Sequence, residues 1–433
     1  MNITDYLGKG RYILPDDPKL QYCGRIGRGN NGMPEMVFPC TYVKWRFKGS
    51  SAAIVTDVRR FYFDVYMGCF IDGVQYTVRL HEGINRTILL KDGVPVCNEN
   101  MYQTRLSGVK KPDGSPSDTE EHEIVLFKRQ DACNIVEFCG IELDREARLL
   151  ECGPLPEMKI EVYGDSVSAG EVSEALDCAG KPDPEGHEGV YSNSWYSYSW
   201  ITARKLNARL HDIAQGGIPL LDGTGWYGSA DGLIGMESIY DKIRYSPDVK
   251  HAEKWDFSKY IPDVVVVAIG QNDAHPDDFM KTLREAGYTH SDDFMKTPGE
   301  AVYTHSDDSM KTSREAGCLQ DGEKRPDQAE NKDETVLEAI GKAHNWKQHY
   351  AAFLSRLREH YPKALIVCAT TILCHDEAWD NAIDDVVNKL NDPKIRHFLY
   401  SKNGCGTPGH IRANEAEEMA EELAGFIRQA IRE

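Results

Sequence analysis

The chain has 433 residues, of which 41% are hydrophobic and 27% are charged. This length is too great for one compact core and predicts two or three domains, while the composition is typical of a folded globular protein. The net charge of -19 disfavours nucleic acid or an anionic membrane as the main partner, because both would repel the chain. A neutral substrate such as a glycan ester would not be repelled.

The N-terminus and the cysteines both bear on localisation. Residues 1–10 have no apolar segment behind a basic start, and no apolar run reaches the length of a membrane span. We therefore expect no signal peptide, no membrane partner and a cytoplasmic protein. Several of the twelve cysteines, such as Cys69, Cys139 and Cys368, lie in apolar strand-like runs. We expect buried reduced thiols, and since paired Cys-x-x-Cys spacings are missing, no zinc site. We also expect no other metal and no cofactor.

Short runs rich in β-branched and aromatic residues fill the first third of the chain. Turns such as Lys48-Gly49-Ser50 and Ile71-Asp72-Gly73-Val74 separate them. This close spacing predicts an antiparallel sandwich domain over residues 1–153, with a solvated loop at 110–118. The predicted strands are residues 41–47, 52–56, 62–66, 75–80 and 121–127.

After about residue 155, continuous apolar runs alternate with helical patterns. Such runs are typical of parallel strands that are covered on both faces. The pattern predicts an α/β domain over residues 154–433, with ligands at the carboxyl ends of its strands. The predicted strands are 158–163, 263–269 and 364–369, and the predicted helices are 196–210, 335–360 and 414–431.

A fifteen-residue unit occurs three times in succession, at 275–289, 290–304 and 305–319. Each copy is mostly polar, and the period is too short for the common solenoid repeats. A tandem duplication inside a surface loop is the simplest account. Metal binding by its repeated His and Asp residues is the less favoured alternative.

A serine follows the first α/β strand at a sharp turn, Gly164-Asp165-Ser166. Three further segments follow in order: a Gly216-Gly217 pair, Asn272 after the Val-rich strand, and His410 before the last helix. Each alone is better explained by an ordinary turn or helix flank. Together they supply what acyl transfer requires, namely a nucleophile, a base and donors for a tetrahedral oxyanion.

This order of residues resembles the SGNH (GDSL-type) hydrolase superfamily, whose four blocks carry Ser, Gly, Asn and His. The resemblance implies a three-layer α/β/α domain with a central parallel sheet. It also implies Ser166 as nucleophile, His410 as base, and an oxyanion hole formed by Ser166, Gly217 and Asn272.

One position departs from the superfamily pattern. The aspartate that usually lies three residues before the histidine is Thr407 here. We therefore expect a Ser-His dyad in which a backbone carbonyl holds the histidine tautomer, with Asp376, Glu377 and Asp380 as alternative carboxylates.

Several segments of the β-rich first third also form a recognisable set. They are Tyr22-Cys23-Gly24-Arg25, 46–50, Ile71-Asp72-Gly73, 121–129 and Phe138-Cys139-Gly140-Ile141. Together they resemble the jelly-roll module of carbohydrate esterase family 2. That resemblance implies a jelly-roll sandwich ahead of the SGNH domain. It also implies an acetyl xylan esterase type of enzyme, which removes O-acetyl groups from xylo-, gluco- or manno-saccharides through an acetyl-enzyme.

Other functions and partners stay open at this level. A lipase or thioesterase on the same scaffold is the main rival, and a non-catalytic glycan-binding protein is a second. The expected partner is an acetylated oligo- or polysaccharide, and the sequence is compatible with a homo-oligomer. Trp226 and Trp379 lie on segments expected near the active edge, so we expect them to bind sugar, whereas partly buried packing is the alternative for each.

Overall fold

A computed structural model describes residues 3–29, 31–107, 121–230, 232–247, 249–288 and 329–433. The first repeat unit is described up to residue 288. The other two units, and the loop predicted at 110–118, lie outside the described residues.

Short antiparallel strands make up the N-terminal region, as predicted. Their bounds are β1 (Arg11–Ile13), β2 (Gln21–Cys23), β3 (Ile26–Arg28), β4 (Pro34–Met36), β5 (Tyr42–Lys48), β6 (Ala52–Arg60), β7 (Val65–Ile71), β8 (Val74–Leu80), β9 (Gly83–Lys91), β10 (Val94–Pro95), β11 (Met101–Gln103), β12 (Glu121–Lys128), β13 (Asn134–Leu143) and β14 (Arg148–Leu150).

In the described part of the chain these strands form two sheets. One has the order β10-β9-β6-β13-β4-β3, with β1 beside β13, and the other has the order β11-β8-β7-β12-β5-β14, with β2 beside β5. Side chains alternate along a strand, and Val43, Trp45 and Phe47 of β5 are all buried in one core between the sheets. The predicted sandwich is therefore confirmed.

Two details of the strands follow from the backbone. The predicted turn between β7 and β8 is confirmed as a two-residue hairpin, in which Asp72 and Gly73 have φ values of 52° and 81°. Positive φ at both positions matches the twist of a hairpin. The strand predicted from residue 62 begins only at Val65, because Phe63, with φ of 56°, cannot continue an extended backbone.

The C-terminal region alternates strands and helices. The strands of the parallel sheet are β15 (Met158–Gly164), β16 (Ala208–Ala214), β19 (Val264–Ala268), β20 (Leu365–Ala369) and β21 (Ile395–His397), and a small hairpin is made by β17 (Gly228–Ser229) and β18 (Gly232–Leu233). The helices are α1 (Ser166–Ala169), α2 (Tyr198–Lys205), α3 (Met236–Ile239), α4 (Phe279–Glu285), α5 (Ala329–His360), α6 (Ala378–Leu390) and α7 (Ala413–Ala430). The helix predicted at 196–210 is wrong in its second half, where β16 begins.

Among the described residues the parallel sheet has the order β16-β15-β19-β20-β21. Helices α2 and α7 pack together on one face, and α4, α5 and α6 pack on the other. The central strand β19 is buried along its whole length, as expected for a strand covered on both faces. This arrangement confirms the three-layer α/β/α fold. Within the described ranges, no helix is both long enough and apolar enough to cross a membrane.

A buried arginine joins the sandwich to the α/β region. Arg25, between β2 and β3, is fully buried, and its Nη2 lies 3.0 Å from Oε1 of Glu161 on β15. Its Nη1 donates to the carbonyls of Tyr240 at 2.5 Å and Lys242 at 3.1 Å. A buried guanidinium needs such partners, so this contact fixes the sandwich against the sheet that carries the serine.

Candidate active site

Ser166 is the first residue of α1, directly after β15. The Asp165 carboxylate caps this helix by accepting a hydrogen bond from the Val167 amide at 3.0 Å. A Cβ on Gly164 would collide with the Ser168 side chain, so only glycine allows this close turn. The turn therefore places Ser166 at the carboxyl end of a central strand, where it is 6% exposed.

Gly217 lies beside this turn because its strand is paired with β15. Ala214, the last residue of β16, is in register with Gly164, so the next residues pass the same sheet edge. Gly217 has φ of 70°, and a Cβ there would lie 2.7 Å from Cβ of Trp226. Both the backbone conformation and the contact require glycine.

Asn272 reaches the same edge from the other side. It follows β19, whose last residue, Ala268, is also in register with Gly164. The Asn272 Nδ2 donates to Oδ2 of Asp165 at 3.2 Å and to the carbonyl of Ile218 at 3.1 Å. The amide is thus held between the serine turn and the Gly217 loop.

His410 is held by a carboxylate that sequence reasoning missed. Its Nδ1 lies 2.6 Å from Oδ2 of Asp183, and its backbone amide donates to Oδ1 of Asp183 at 3.1 Å. The buried Arg412 also donates to Oδ1, at 2.9 Å. Because Asp183 occupies Nδ1, the other ring nitrogen, Nε2, is the one that can act as a base.

The expectation of a histidine held by a backbone carbonyl is therefore wrong. Thr407 instead accepts a hydrogen bond from the Gly180 amide at 2.9 Å. The alternative carboxylates have other roles: Asp376 pairs with Arg284 at 2.9 Å, and Asp380 lies 3.0 Å from Nε2 of His375. Glu377 lies at the start of α6.

Two sequence features fit the position of Asp183. Gly409 has φ of 86°, and a Cβ there would lie 2.8 Å from the Asp183 carboxylate, so glycine makes room for this contact. Asp183 itself lies between Pro182 and Pro184, which restrict the loop around it. A carboxylate on such a constrained loop was the sequence signal by which Asp183 could have been considered as the partner of His410.

Electrostatics around His410 follow from its acidic neighbours. Burial lowers the pKa of His410, but the charges of Glu171 and Asp183 outweigh burial and raise it to about 9. Burial raises the pKa of Asp183, but its hydrogen bonds from His410 and Arg412 outweigh that and lower it to about 2. Burial raises the pKa of Asp165 to about 6. The carboxylates around His410 thus make its imidazole a stronger base than a free histidine.

The sandwich contributes directly to this edge. Asp131, in the loop after β12, accepts hydrogen bonds through Oδ2 from the Gly216 amide and the Gln215 side chain, both at 2.8 Å. In the same loop, the buried Arg129 pairs with Glu174 at 2.7 Å. These contacts hold the loop of Gly217 and the segment after Ser166, and sequence reasoning assigned neither of them.

The two predicted sugar-binding tryptophans differ. Trp226 is 65% exposed and stacks on His275, the first residue of the repeats, with ring centroids 3.4 Å apart. Trp379 is fully buried, donates to Asp278 at 3.1 Å and packs against Trp346. The prediction for Trp379 is wrong, because its helix turns the indole into the core.

Comparison with known proteins agrees with this architecture. Residues 22–95 match the family described as carbohydrate esterase 2 N-terminal. The chain is 33% identical over 204 residues to the cellulase/esterase CelE of Acetivibrio thermocellus, a match that covers 44% of this chain and 23% of that protein. It is 33% identical over 123 residues to an acetylxylan esterase/glucomannan deacetylase of Cellvibrio japonicus, covering 28% of this chain and 31% of that one. The matches thus span less than a third of either relative.

A solved structure extends the likeness over both regions. A family two carbohydrate esterase from Clostridium thermocellum, in complex with cellohexaose, aligns with a TM-score of 0.62 at 22% identity, covering 95% of this chain and 99% of that one. The predicted resemblance to carbohydrate esterase family 2 is confirmed.

Proposed function

We propose that this chain, which has the N-terminal sequence and the fold of carbohydrate esterase family 2, is a serine esterase that removes O-acetyl groups from xylo-, gluco- or manno-saccharides. The observation that carries this proposal is the Asp183–His410 pair, at 2.6 Å, in a chain whose Ser166, Gly217 and Asn272 segments meet at one sheet edge. A site that only binds glycan has no need of an oriented imidazole.

The proposed acylation uses the nitrogen that Asp183 leaves free. His410 Nε2 takes the proton of the Ser166 hydroxyl while its oxygen bonds to the acetyl carbon. The carbonyl oxygen becomes an oxyanion, which the backbone amides of Ser166 and Gly217 stabilise. The Asn272 side chain also donates to it, and for this its Nδ2 gives up the 3.2 Å hydrogen bond to Asp165. Collapse then breaks the ester bond, and the imidazolium gives its proton to the leaving sugar oxygen, which leaves an acetyl-enzyme.

Deacylation repeats these steps with water. The neutral imidazole takes a proton from a water molecule, which attacks the acetyl carbon, and the Ser166 oxygen leaves with the proton from His410. Since only the neutral imidazole accepts a proton and the pKa of His410 is about 9, we expect turnover to rise with pH up to about that value.

Three observations support a neutral acetylated saccharide as substrate. The curated relatives are named as a cellulase/esterase and an acetylxylan esterase/glucomannan deacetylase, and the solved relative holds cellohexaose. The exposed indole of Trp226 offers an apolar face on which a pyranose ring can stack. The net charge of -19 does not repel an uncharged sugar.

Acetate release from defined acetylated xylo- and manno-oligosaccharides tests the proposal. We expect release by the parent protein and a loss of at least about a thousandfold in Ser166→Ala, because the acetyl-enzyme can no longer form. Ser168→Ala is the matched control, since this hydroxyl lies on the same short helix but bonds to the Tyr198 hydroxyl at 2.8 Å. It should retain most of the activity.

A fluorophosphonate probe and a series of esters separate the alternatives. The probe should label the parent but not Ser166→Ala. Faster hydrolysis of long-chain than of acetyl nitrophenyl esters would instead indicate a lipase. A parent that binds oligosaccharide but neither releases acetate nor takes up the probe would be a glycan-binding protein, which contradicts the proposal.

A further inference from the structure

The catalytic histidine has a second acidic neighbour that the proposed mechanism does not use. Glu171 lies five residues after Ser166, and its Oε2 is 3.6 Å from Nε2 of His410. Its backbone amide donates to the Ser166 carbonyl at 2.9 Å, which fixes it to the serine turn. The carboxylate therefore faces the one ring nitrogen that Asp183 does not occupy.

Glu171 is enclosed on its other side as well. A Cβ on Gly216 would lie 2.7 Å from Oε2 of Glu171 and 2.8 Å from Oδ2 of Asp131. The Glu171 side chain is only 18% exposed. Glycine at 216 thus leaves the carboxylate room between the histidine and the loop that carries Gly217.

We propose that Glu171 is a positioning residue that competes with Ser166 for Nε2 of His410, and so sets the pH above which the esterase is active. This inference rests on the proposed function. When His410 is protonated, Nε2 donates toward Glu171 and cannot take the serine proton. Only loss of the imidazolium proton frees Nε2 for Ser166.

The titration of the pair agrees with this geometry. Burial raises the pKa of Glu171 to about 7, although His410 opposes this shift. Its charge is among the causes that hold the pKa of His410 at about 9. Between these values Glu171 is ionised while His410 still carries its proton, so the competing ion pair is favoured there.

Other charged or titratable groups face the pair and stay in place when Glu171 is changed. Asp165 and Asp183 act on His410 from the serine turn and the Pro-Asp-Pro loop, and Asp131 acts on Glu171 from the sandwich. Among the described residues, Tyr62, Cys133, His187 and Arg412 also act on the pair. Since Asp183 still faces Nδ1, the histidine should keep its tautomer without Glu171.

The test is the pH dependence of kcat/KM for acetate release, which reports the titration of the free enzyme. In Glu171→Gln we expect the rise of kcat/KM with pH to begin at least about one pH unit lower than in the parent. At neutral pH this corresponds to about a tenfold gain over the parent, because a neutral amide no longer stabilises the imidazolium. Glu185→Gln removes one charge from the exposed surface of the Asp183 loop and should leave the profile unchanged.

A second readout separates this role from sugar binding. The rate of fluorophosphonate labelling of Ser166 depends on the same imidazole but involves no saccharide. It should show the same downward move of its pH profile in Glu171→Gln, and in Glu171→Met if the first variant folds poorly. Coincident labelling profiles for parent and folded variants would overturn the inference, and so would a change confined to KM for the oligosaccharide. A parent without any acetate release would instead refute the proposed function.

Discussion

Asp183→Asn tests the most specific feature of the site. The Asp183 Oδ1 accepts from the His410 amide at 3.1 Å and from Arg412 at 2.9 Å, while Oδ2 faces Nδ1 of His410 at 2.6 Å. In the asparagine variant the carbonyl oxygen should keep the first two donors. The NH2 group then faces Nδ1, which must become the acceptor. The ring proton therefore moves to Nε2, and the histidine can no longer take the proton of Ser166.

The expected loss follows from this change of tautomer. In a triad, the same substitution lowers kcat by about 10⁴, and we expect a loss of about 10³–10⁴ here. The assay is hydrolysis of nitrophenyl acetate and of an acetylated oligosaccharide. Thr407→Val is the matched control, because Thr407 occupies the usual aspartate position yet bonds to the Gly180 amide. It should stay within severalfold of the parent.

The substitution should also change the pH dependence of stability. The pKa of Asp183 falls from its ordinary 3.8 to about 2 in the folded protein, which corresponds to about 2 kcal/mol of stabilisation. A lowered pKa stabilises the fold above the unfolded value and loses that effect as the pH falls toward 2. Urea unfolding should therefore separate parent from variant at pH 7 and much less in acid. Full esterase activity in a folded Asp183→Asn protein would refute this account of the histidine.

Two further substitutions test the oxyanion hole. Gly217→Ala should lower kcat on the order of a hundredfold. The added Cβ, at φ of 70°, would lie 2.7 Å from Cβ of Trp226 and displace the backbone amide. Unchanged acetate release would count against a role for that amide. Asn272→Ala should lose about a hundredfold or more in kcat while its thermal melting stays near that of the parent, because its amide, between Asp165 and Ile218, is the proposed side-chain donor. Full turnover by that variant would remove Asn272 from the mechanism.

The periodicity of the sequence predicted the fold well because burial imposes it locally. The continuous apolar run of β19 indicates a strand covered on both faces, and the alternating run of β5 indicates a strand covered on one face. The helix predicted at 196–210 failed at its end for a related reason. Ala208–Ala214 is a strand of the parallel sheet, and a short apolar segment does not distinguish a buried strand from a helix by periodicity.

The four segments expected at the site each lie beside a strand or helix end, where a short stretch of sequence carries the local backbone geometry. Gly164 and Gly217, for example, are required by close contacts at the sheet edge. Asp183 lies 227 residues before His410, and no spacing rule joins two such loops. Trp379 lies on a segment that follows a strand of the parallel sheet, but its side chain is buried in the core. The position of a segment does not fix the direction in which each of its side chains points.

The role of the sandwich follows from the charges at its junction with the sheet. Arg25 is fully buried against Glu161 of β15, and Asp131 accepts the Gly216 amide beside the proposed oxyanion donor. A separated sandwich would expose Arg25 without its carboxylate, and a separated α/β region would leave Glu161 buried without its guanidinium. Breaking a buried pair in this way costs about 3–5 kcal/mol. We therefore expect the sandwich and the α/β region to unfold together, because separating them would break the Arg25–Glu161 pair.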